Sequence, residues 1–295
     1  MTFQLSETLL KAAEQLHIRA KRNVSALLTG NYSSKFRGSG MQFKEFRHYQ
    51  AGDDIRHMSW LVTARTGKPT IKVYEEEREL DIVCLVDSSG SSLFGYQNKR
   101  RIEMIGELVA LVGLAAIRSG DNFGMLLFAN EPGQYLPPNR NRNQIQLATT
   151  LVLQSPSTGK TSQLGMAIER ILTTLKRRSI VMIFSDFFVP PFETQFHMLT
   201  AKHETILVHC YDDAERGQDL SAVHAVCDPE TLTFSVLDGR SKVLQRALAQ
   251  QHTAMTSYLE QLCRNRAADY LCLSSQDDYF QRLVHFFRSR GPAHL

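Results

Sequence analysis

From Leu80 onward the chain alternates short, unbroken apolar runs with longer segments of helical period. The apolar runs are DIVCLVD (81–87), NFGMLLFA (122–129), GQYLP (133–137), SIVMIFSD (179–186), TILVHCYD (205–212) and DYLCLSS (269–275). Helices are expected between them at about 98–118, 141–153, 163–177, 192–202, 241–266 and 277–289. Strands buried on both faces carry no polar alternation, so this succession predicts a doubly wound, mostly parallel α/β sheet covered by helices on both sides. The segment AVCDPETLTFSVLDG interrupts the rhythm and predicts a hairpin inserted within 220–240. In the helix at 98–118, Gly106, Ala110, Gly113 and Ala116 recur at steps of four, three and three. That stripe of small residues lets the helix lie close to the sheet, as core packing.

The first 78 residues read differently. A helix at about 6–28 precedes the Gly and Ser rich NYSSKFRGSGMQF, a polar turn region YQAGDDIRHMSW and a strand-like TIKVYEEER. This stretch is short and irregular, and its apolar residues, Phe43, Phe46 and Trp60 among them, need a surface to cover. The expectation is an N-terminal extension, residues 1–78, packed on a main domain at 79–295.

Composition narrows the class. A chain of 295 residues with 43% hydrophobic and 22% charged residues can bury one large core. Glu7 and Glu14 break up the amino terminus, so it does not read as a signal peptide. The longest apolar run, LVALVGLAAI at Leu108–Ile117, is far shorter than the ~20 residues a membrane span requires. A cytoplasmic protein follows as the expectation. Cys84, Cys210, Cys227, Cys263 and Cys272 are widely spaced and form no CxxC pair, which fits reduced thiols better than disulfides or zinc. Residues 1–78 hold 13 Lys and Arg against 8 Asp and Glu, and the remainder holds 21 against 22. The basic excess is either a solvated face or a surface that docks an acidic partner. No interleaving of aromatic and basic residues favours nucleic acid.

The stretch DSSGSS, Asp87–Ser92, puts one carboxylate and four hydroxyls at the end of the first buried strand. In a doubly wound sheet of Rossmann-like order 3-2-1-4-5-6, ligands bind where the order reverses, between strands 1 and 4. Strand 1 ends at Asp87 and strand 4 ends at Asp186, so topology brings two carboxylates to one crevice. The segment GKTSQLGMAI adds Thr161 and Ser162 just before the helix that leads into strand 4. Carboxylates and hydroxyls without His or Cys suit a small hard cation such as Mg²⁺ or Mn²⁺. Ser and Asp also favour turns and helix caps, the competing explanation for any one of these loops alone.

Taken together the loops resemble the metal-ion-dependent adhesion site of von Willebrand factor A domains. The DxSxS of that site corresponds to Asp87, Ser89 and Ser91, and the third-loop aspartate corresponds to Asp186. The second-loop pattern TxLxxA is matched by SQLGMA, with Ser162 in the threonine position and Thr161 beside it as the alternative. The resemblance implies that these residues hold a divalent cation with an open position for a partner's Asp or Glu.

A second resemblance runs over roughly residues 35–190. Gly52, Asp53, Asp54, Arg56, Trp60, Ala64 and Arg65, followed by Glu75 to Arg78, are similar to the GDDxRxxxWxxxAR segment of the bacterial family catalogued as domain of unknown function 58. Ser59 stands where that family usually carries aspartate. The family joins this segment to a von Willebrand factor A-like domain, and its members resemble accessory proteins that act with MoxR-type AAA+ ATPases. A non-enzymatic, metal-dependent adaptor is the implied function. The alternative is a metal-dependent hydrolase or phosphatase using Asp53, Asp54 and Arg56, or Asp87. Turn and cap roles compete with catalysis for Asp53 and Asp54.

Other enzymatic patterns fall short. STGKTS imitates a Walker A loop, yet Gln154 stands where the first glycine must wrap the phosphate, and a helix rather than a strand precedes it. A haloacid-dehalogenase-like phosphatase would need an aspartate at Ser89. HETILVH, His203 to His209, lacks the HExxH spacing that places two imidazoles on one helical face.

Overall fold

The computed structural model describes residues 40–50, 53–77, 80–96, 99–154, 161–218, 220–228, 231 and 233–289. The helix expected at 6–28, Gly52, Arg78 and most of STGKTS lie outside the described residues. Two compact units are distinguished, one within 34–80 and one within 81–291.

The larger unit is built on six strands, β3 (Asp81–Asp87), β4 (Asn122–Phe128), β5 (Pro132–Asn139), β6 (Ile180–Ser185), β7 (Glu204–Tyr211) and β10 (Asp269–Ser274). They lie in the order β10-β7-β6-β3-β4-β5, parallel throughout except for β5, which runs antiparallel to β4 at the edge. Pro132, Pro137 and Pro138 cannot donate to a ladder, and an edge strand is where a sheet tolerates them. The inner strands β3, β4, β6 and β7 are buried almost end to end, the property their unbroken apolar runs predict.

Helices α2 (Arg101–Arg118), α3 (Arg142–Gln154), α4 (Leu164–Thr174), α5 (Glu193–Lys202), α6 (Lys242–Arg264) and α7 (Tyr279–Ser289) connect the strands. Val83, Leu85, Val181, Ile183 and Leu207 form one core with Leu164, Ile168 and Ile171 of α4, Phe196 and Leu199 of α5, and Leu259 and Cys263 of α6. Residues of opposite parity on the strands face the other way, where α2 and α3 pack. The small-residue stripe explains the approach of α2. A Cβ on Gly113 would stand 3.2 Å from Ile145 Cγ1 and 3.3 Å from the Phe123 ring, so a larger residue there would push α2 off β4 and α3.

The expected hairpin within 220–240 is an antiparallel pair, β8 (Val223–Cys227) and β9 (Phe234–Asp238). All five cysteines are free thiols. Cys84 and Cys210 are fully buried, and burial pushes both thiols well above their ordinary pKa, whereas Cys227 is exposed. Among the described residues no helix is long and apolar enough to cross a membrane.

The smaller unit holds an antiparallel pair, β1 (Gly40–His48) and β2 (Thr70–Glu77), joined through a short helix α1 (Trp60–Thr66). The sequence pattern shows β2 but neither β1 nor α1. The register of β1 slips between Phe43 and Glu45, which breaks the period of two that marks a strand. With seven residues, α1 is too short for a helical period, and it stops at Gly67, whose φ of 71° makes the left-handed cap that glycine adopts without strain.

His203, 2% exposed, closes α5 and accepts a hydrogen bond at Nδ1 from the Ser179 amide, 3.3 Å away. Burial, helped by Lys202 and Arg178, lowers its pKa to about 4. The folded state therefore takes up this proton less readily than the unfolded chain, and stability is lost as pH falls from the ordinary imidazole range toward about 4. Thermal melts between pH 7 and pH 4 should show a falling midpoint, with a shallower decline in His203→Gln. Parallel pH profiles for the two proteins would refute this origin.

Candidate functional site

The strand order reverses between β3 and β6, the two strands that end in the serine loop and in Phe-Ser-Asp. Their register pairs Val86 with Phe184, so the next residues, Asp87 and Ser185, stand level at the carboxyl edge of the sheet. This places the chemistry-bearing residues over the crevice where the connections diverge to opposite faces.

The serines of the first loop divide their work. Ser88 is tied to β4, its amide 2.8 Å and its hydroxyl 3.0 Å from the Phe128 carbonyl oxygen. Ser92 Oγ donates to the Ser89 carbonyl oxygen at 2.7 Å and closes the 3-10 turn at Gly90–Leu93. Both hold the loop. Ser89 and Ser91 are left facing each other, their hydroxyl oxygens 3.1 Å apart, with Ser89 fully buried beside Asp87.

Asp87 is 2% exposed. Its Oδ1 accepts from the Ser89 amide at 3.0 Å, and its Oδ2 accepts from Ser162 Oγ at 2.8 Å and Ser185 Oγ at 2.7 Å. Ser162 is buried against the carboxylate while Thr161 is exposed, so the second loop presents Ser162 to Asp87. Burial raises the Asp87 pKa, and the charge of Asp186 raises it further, against the lowering influence of its hydrogen bonds.

Asp186 follows β6 and is 3% exposed. The chain turns sharply after it, because Phe187 takes a left-handed φ of 59°. Such a conformation costs a non-glycine residue about 1–2 kcal/mol. Anchors hold it: the Phe187 amide donates to Ser185 Oγ at 2.9 Å, and the buried ring lies against Phe192 and His209. The turn brings the Phe188 amide to 3.1 Å from Asp186 Oδ1. The other oxygen, Oδ2, accepts from Arg101 Nη1 at 2.6 Å.

Arg101, the first residue of α2, is itself 2% exposed. Its Nη1 also donates to the Ser91 carbonyl oxygen at 2.8 Å, and its Nη2 is paired with Glu215 on the 3-10 turn Asp213–Arg216. Burial works against the guanidinium charge, and Glu215 and Asp186 together outweigh it, raising the pKa above the ordinary arginine value. Asp186 and Glu215 line a cavity of about 170 Å³ with His209, Tyr211 and His252.

Sequence reasoning thus assembles Asp87, Ser89, Ser91, Ser162 and Asp186 but passes over Ser185, Arg101 and Glu215. The register of β3 on β6 identifies Ser185, and it is knowable only once the strands are paired. Arg101 ends the basic run KRR at the start of α2 and carries no local signal. Its position at a helix start even opposes the dipole, which favours anions there.

The residues of the smaller unit are engaged locally. Asp53 pairs with Arg47 at 2.9 Å and accepts from the Gln50 amide at 2.7 Å. Those hydrogen bonds, the Gln50 amide first, lower its pKa. Asp54 caps the 3-10 turn Ile55–His57, and its bond to the Arg56 side chain, 2.7 Å at Nη2, holds its pKa at about 2.

Among the described residues no three His, Cys, Asp or Glu side chains converge as metal ligands. A site here would rest on two carboxylates and several hydroxyls. Asp87, Ser89, Ser91 and Ser162 fit that chemistry, with a buried anion whose hydrogen-bond donors are neutral. Asp186 fits it through an oxygen that Arg101 now holds.

Sheet order, helical layers and loop placement define a doubly wound, mostly parallel α/β protein. The chain belongs to the family described as Protein of unknown function DUF58, whose model matches residues 45–257. An uncharacterized protein of Mycobacterium tuberculosis is 28% identical over 291 residues, covering 96% of this chain and 90% of the relative. A Mycobacterium bovis protein, also described as uncharacterized, gives the same identity and coverage. Among solved structures, the conserved hypothetical protein BatB from Bacteroides thetaiotaomicron aligns with a TM-score of 0.47 at 11% identity, covering 72% of this chain and 98% of that one. The SpRpn10 VWA domain aligns at 0.43 and 12%, covering 71% and 95%.

If the Asp87 charge is uncompensated without a cation, neutralising it should not harm the fold. In EDTA at pH 7, Asp87→Asn is expected to melt no lower than wild type. Asp87→Ala, which leaves the Ser162 and Ser185 hydroxyls without their acceptor, should lose about 1–3 kcal/mol. Thermal melts decide, and an Asn variant less stable than the Ala variant would contradict the assignment.

Proposed function

We propose that this protein is a non-enzymatic, metal-dependent adaptor that binds a partner protein through the cluster at Asp87. The observation that carries the reading is the convergence of three loops, distant in sequence, on one buried carboxylate: Ser89 from the first, Ser162 from the second and Ser185 from the third. Such a cluster stabilises the fold poorly by itself, since a buried anion with only neutral donors retains much of its desolvation cost. It suits a divalent cation, Mg²⁺ or Mn²⁺, held by Ser89, Ser91 and Ser162 directly and by Asp87 and Asp186 directly or through water. A bound cation would supply an electrophilic position for a partner's Asp or Glu. Neutral hydroxyls supply most of the direct ligands, so the affinity should be modest.

The resemblance of family members to MoxR-associated accessory proteins supports one partner class, a MoxR-type AAA+ ATPase, with a role in assembly or maturation of protein complexes. The basic excess of residues 1–78 would speed the approach of an acidic face. A hydrolase centred on Asp53, Asp54 and Arg56 has less support, because each is already committed to a neighbouring turn or ion pair.

Calorimetry with Mn²⁺ should reveal one weak site that Asp87→Ala removes. Binding of a MoxR-type ATPase from the same organism should weaken on adding EDTA and in Asp87→Ala and Ser89→Ala, while salt should mainly slow association. Partner affinity unchanged by chelation and by Asp87→Ala would show that docking occurs elsewhere.

A further inference from the structure

We propose that Arg101 is a built-in counter-cation that competes with the divalent ion for Asp186, so that the chain's own guanidinium sets how tightly the site binds metal. The inference rests on reading the Asp87 cluster as a cation site, and it concerns a residue that the reading does not use.

Three observations carry it. The guanidinium is buried and its Nη1 is 2.6 Å from Asp186 Oδ2, the carboxylate oxygen left free by the Phe188 amide. Each oxygen of Asp186 thus already accepts a hydrogen bond, and a cation that recruits this carboxylate must share it with the guanidinium's like charge 2.6 Å away. The grip is also one of three, since Arg101 holds the Ser91 carbonyl oxygen and Glu215 as well, and its buried Nε has no hydrogen-bond partner among the described residues. Releasing Asp186 leaves the guanidinium with two anchors in place, so the exchange does not require Arg101 to leave its pocket. Finally, the charges do not balance. Asp186 and Glu215 share one guanidinium, and Asp87 takes its hydrogen bonds from neutral groups, an acidic excess among the described residues that a cation would offset. Asp186 and Glu215 line the cavity of about 170 Å³, which is room for several waters beside the contested carboxylate.

Helix formation does not explain an arginine at this position. A cation at the start of α2 opposes the helix dipole, and the capping interaction there is made by the neighbour, with Glu103 accepting from the Arg100 amide at 3.1 Å. The place of Arg101 is set by the two acids it bridges.

The test is Mn²⁺ titration of the full chain, followed by the electron paramagnetic resonance signal of free Mn²⁺. Arg101→Gln frees Asp186 but also leaves Glu215 unpaired, so Arg101→Gln/Glu215→Gln is made beside it. The double variant removes one positive and one negative charge together, which separates competition from a general change in field. Both should bind Mn²⁺ at least about tenfold more tightly than wild type, and adding Asp186→Asn to the double variant should abolish the gain. Wild-type affinity in the double variant would overturn the competition while leaving the cation site standing. Failure of every protein in the series, wild type included, to bind Mn²⁺ would remove the cation site and this inference with it.

Discussion

The crevice is organised by the need of buried acids for partners. Asp87 and Asp186 emerge from adjacent parallel strands at the same edge, and the two find different answers. Asp87 is surrounded by hydroxyls and one amide, whereas Asp186 takes an amide and a buried guanidinium. Neutral donors screen a carboxylate only in part, and a guanidinium compensates it fully at the cost of its own desolvation. The pair is therefore asymmetric before any ligand arrives: one acid short of positive charge, the other already supplied.

The fold holds these acids in place with little freedom to relax. β3 and β6 are central strands, buried on both faces and hydrogen-bonded on both sides. The loops beyond them are pinned by their own polar groups, Ser88 to β4, Ser92 to the turn, and Phe187 in a left-handed conformation that packing sustains. Preorganisation of this kind is what the proposed hydroxyl-rich cation site would require, because little binding energy would remain to order loose ligands.

Arg101 and Glu215 link the crevice to the turn that follows β7. Glu215 also accepts from the Asp212 amide at 2.7 Å, so the 3-10 turn Asp213–Arg216 is tied through two ion pairs to the third-loop aspartate. The same turn also borders the cavity of about 530 Å³ lined by Leu93, Phe94, Tyr96, His224 and Leu248. The charged chain Asp186–Arg101–Glu215 is a physical connection between the two places.

What the sequence by itself determined is the sheet and the acids at its edge. Apolar runs such as DIVCLVD and SIVMIFSD can be buried only as central parallel strands, and the helical periods between them place their carboxyl ends together. Asp87, Ser89, Ser91, Ser162 and Asp186 are legible for that reason, since each lies at a strand end or just before a helix that the pattern marks. Strand β1 and helix α1 are not legible, because a register slip and a length of two turns erase the periodicities that reading depends on. Only the tertiary structure decided between Thr161 and Ser162 as the residue that meets Asp87, since adjacent residues differ in direction rather than in chemistry. It also supplied Ser185, through the register of two strands nearly a hundred residues apart, and Arg101, through the meeting of a helix start with a loop and a turn. Long-range charge pairing leaves no trace in local pattern: an arginine in a basic run looks the same whether it faces water or a buried acid.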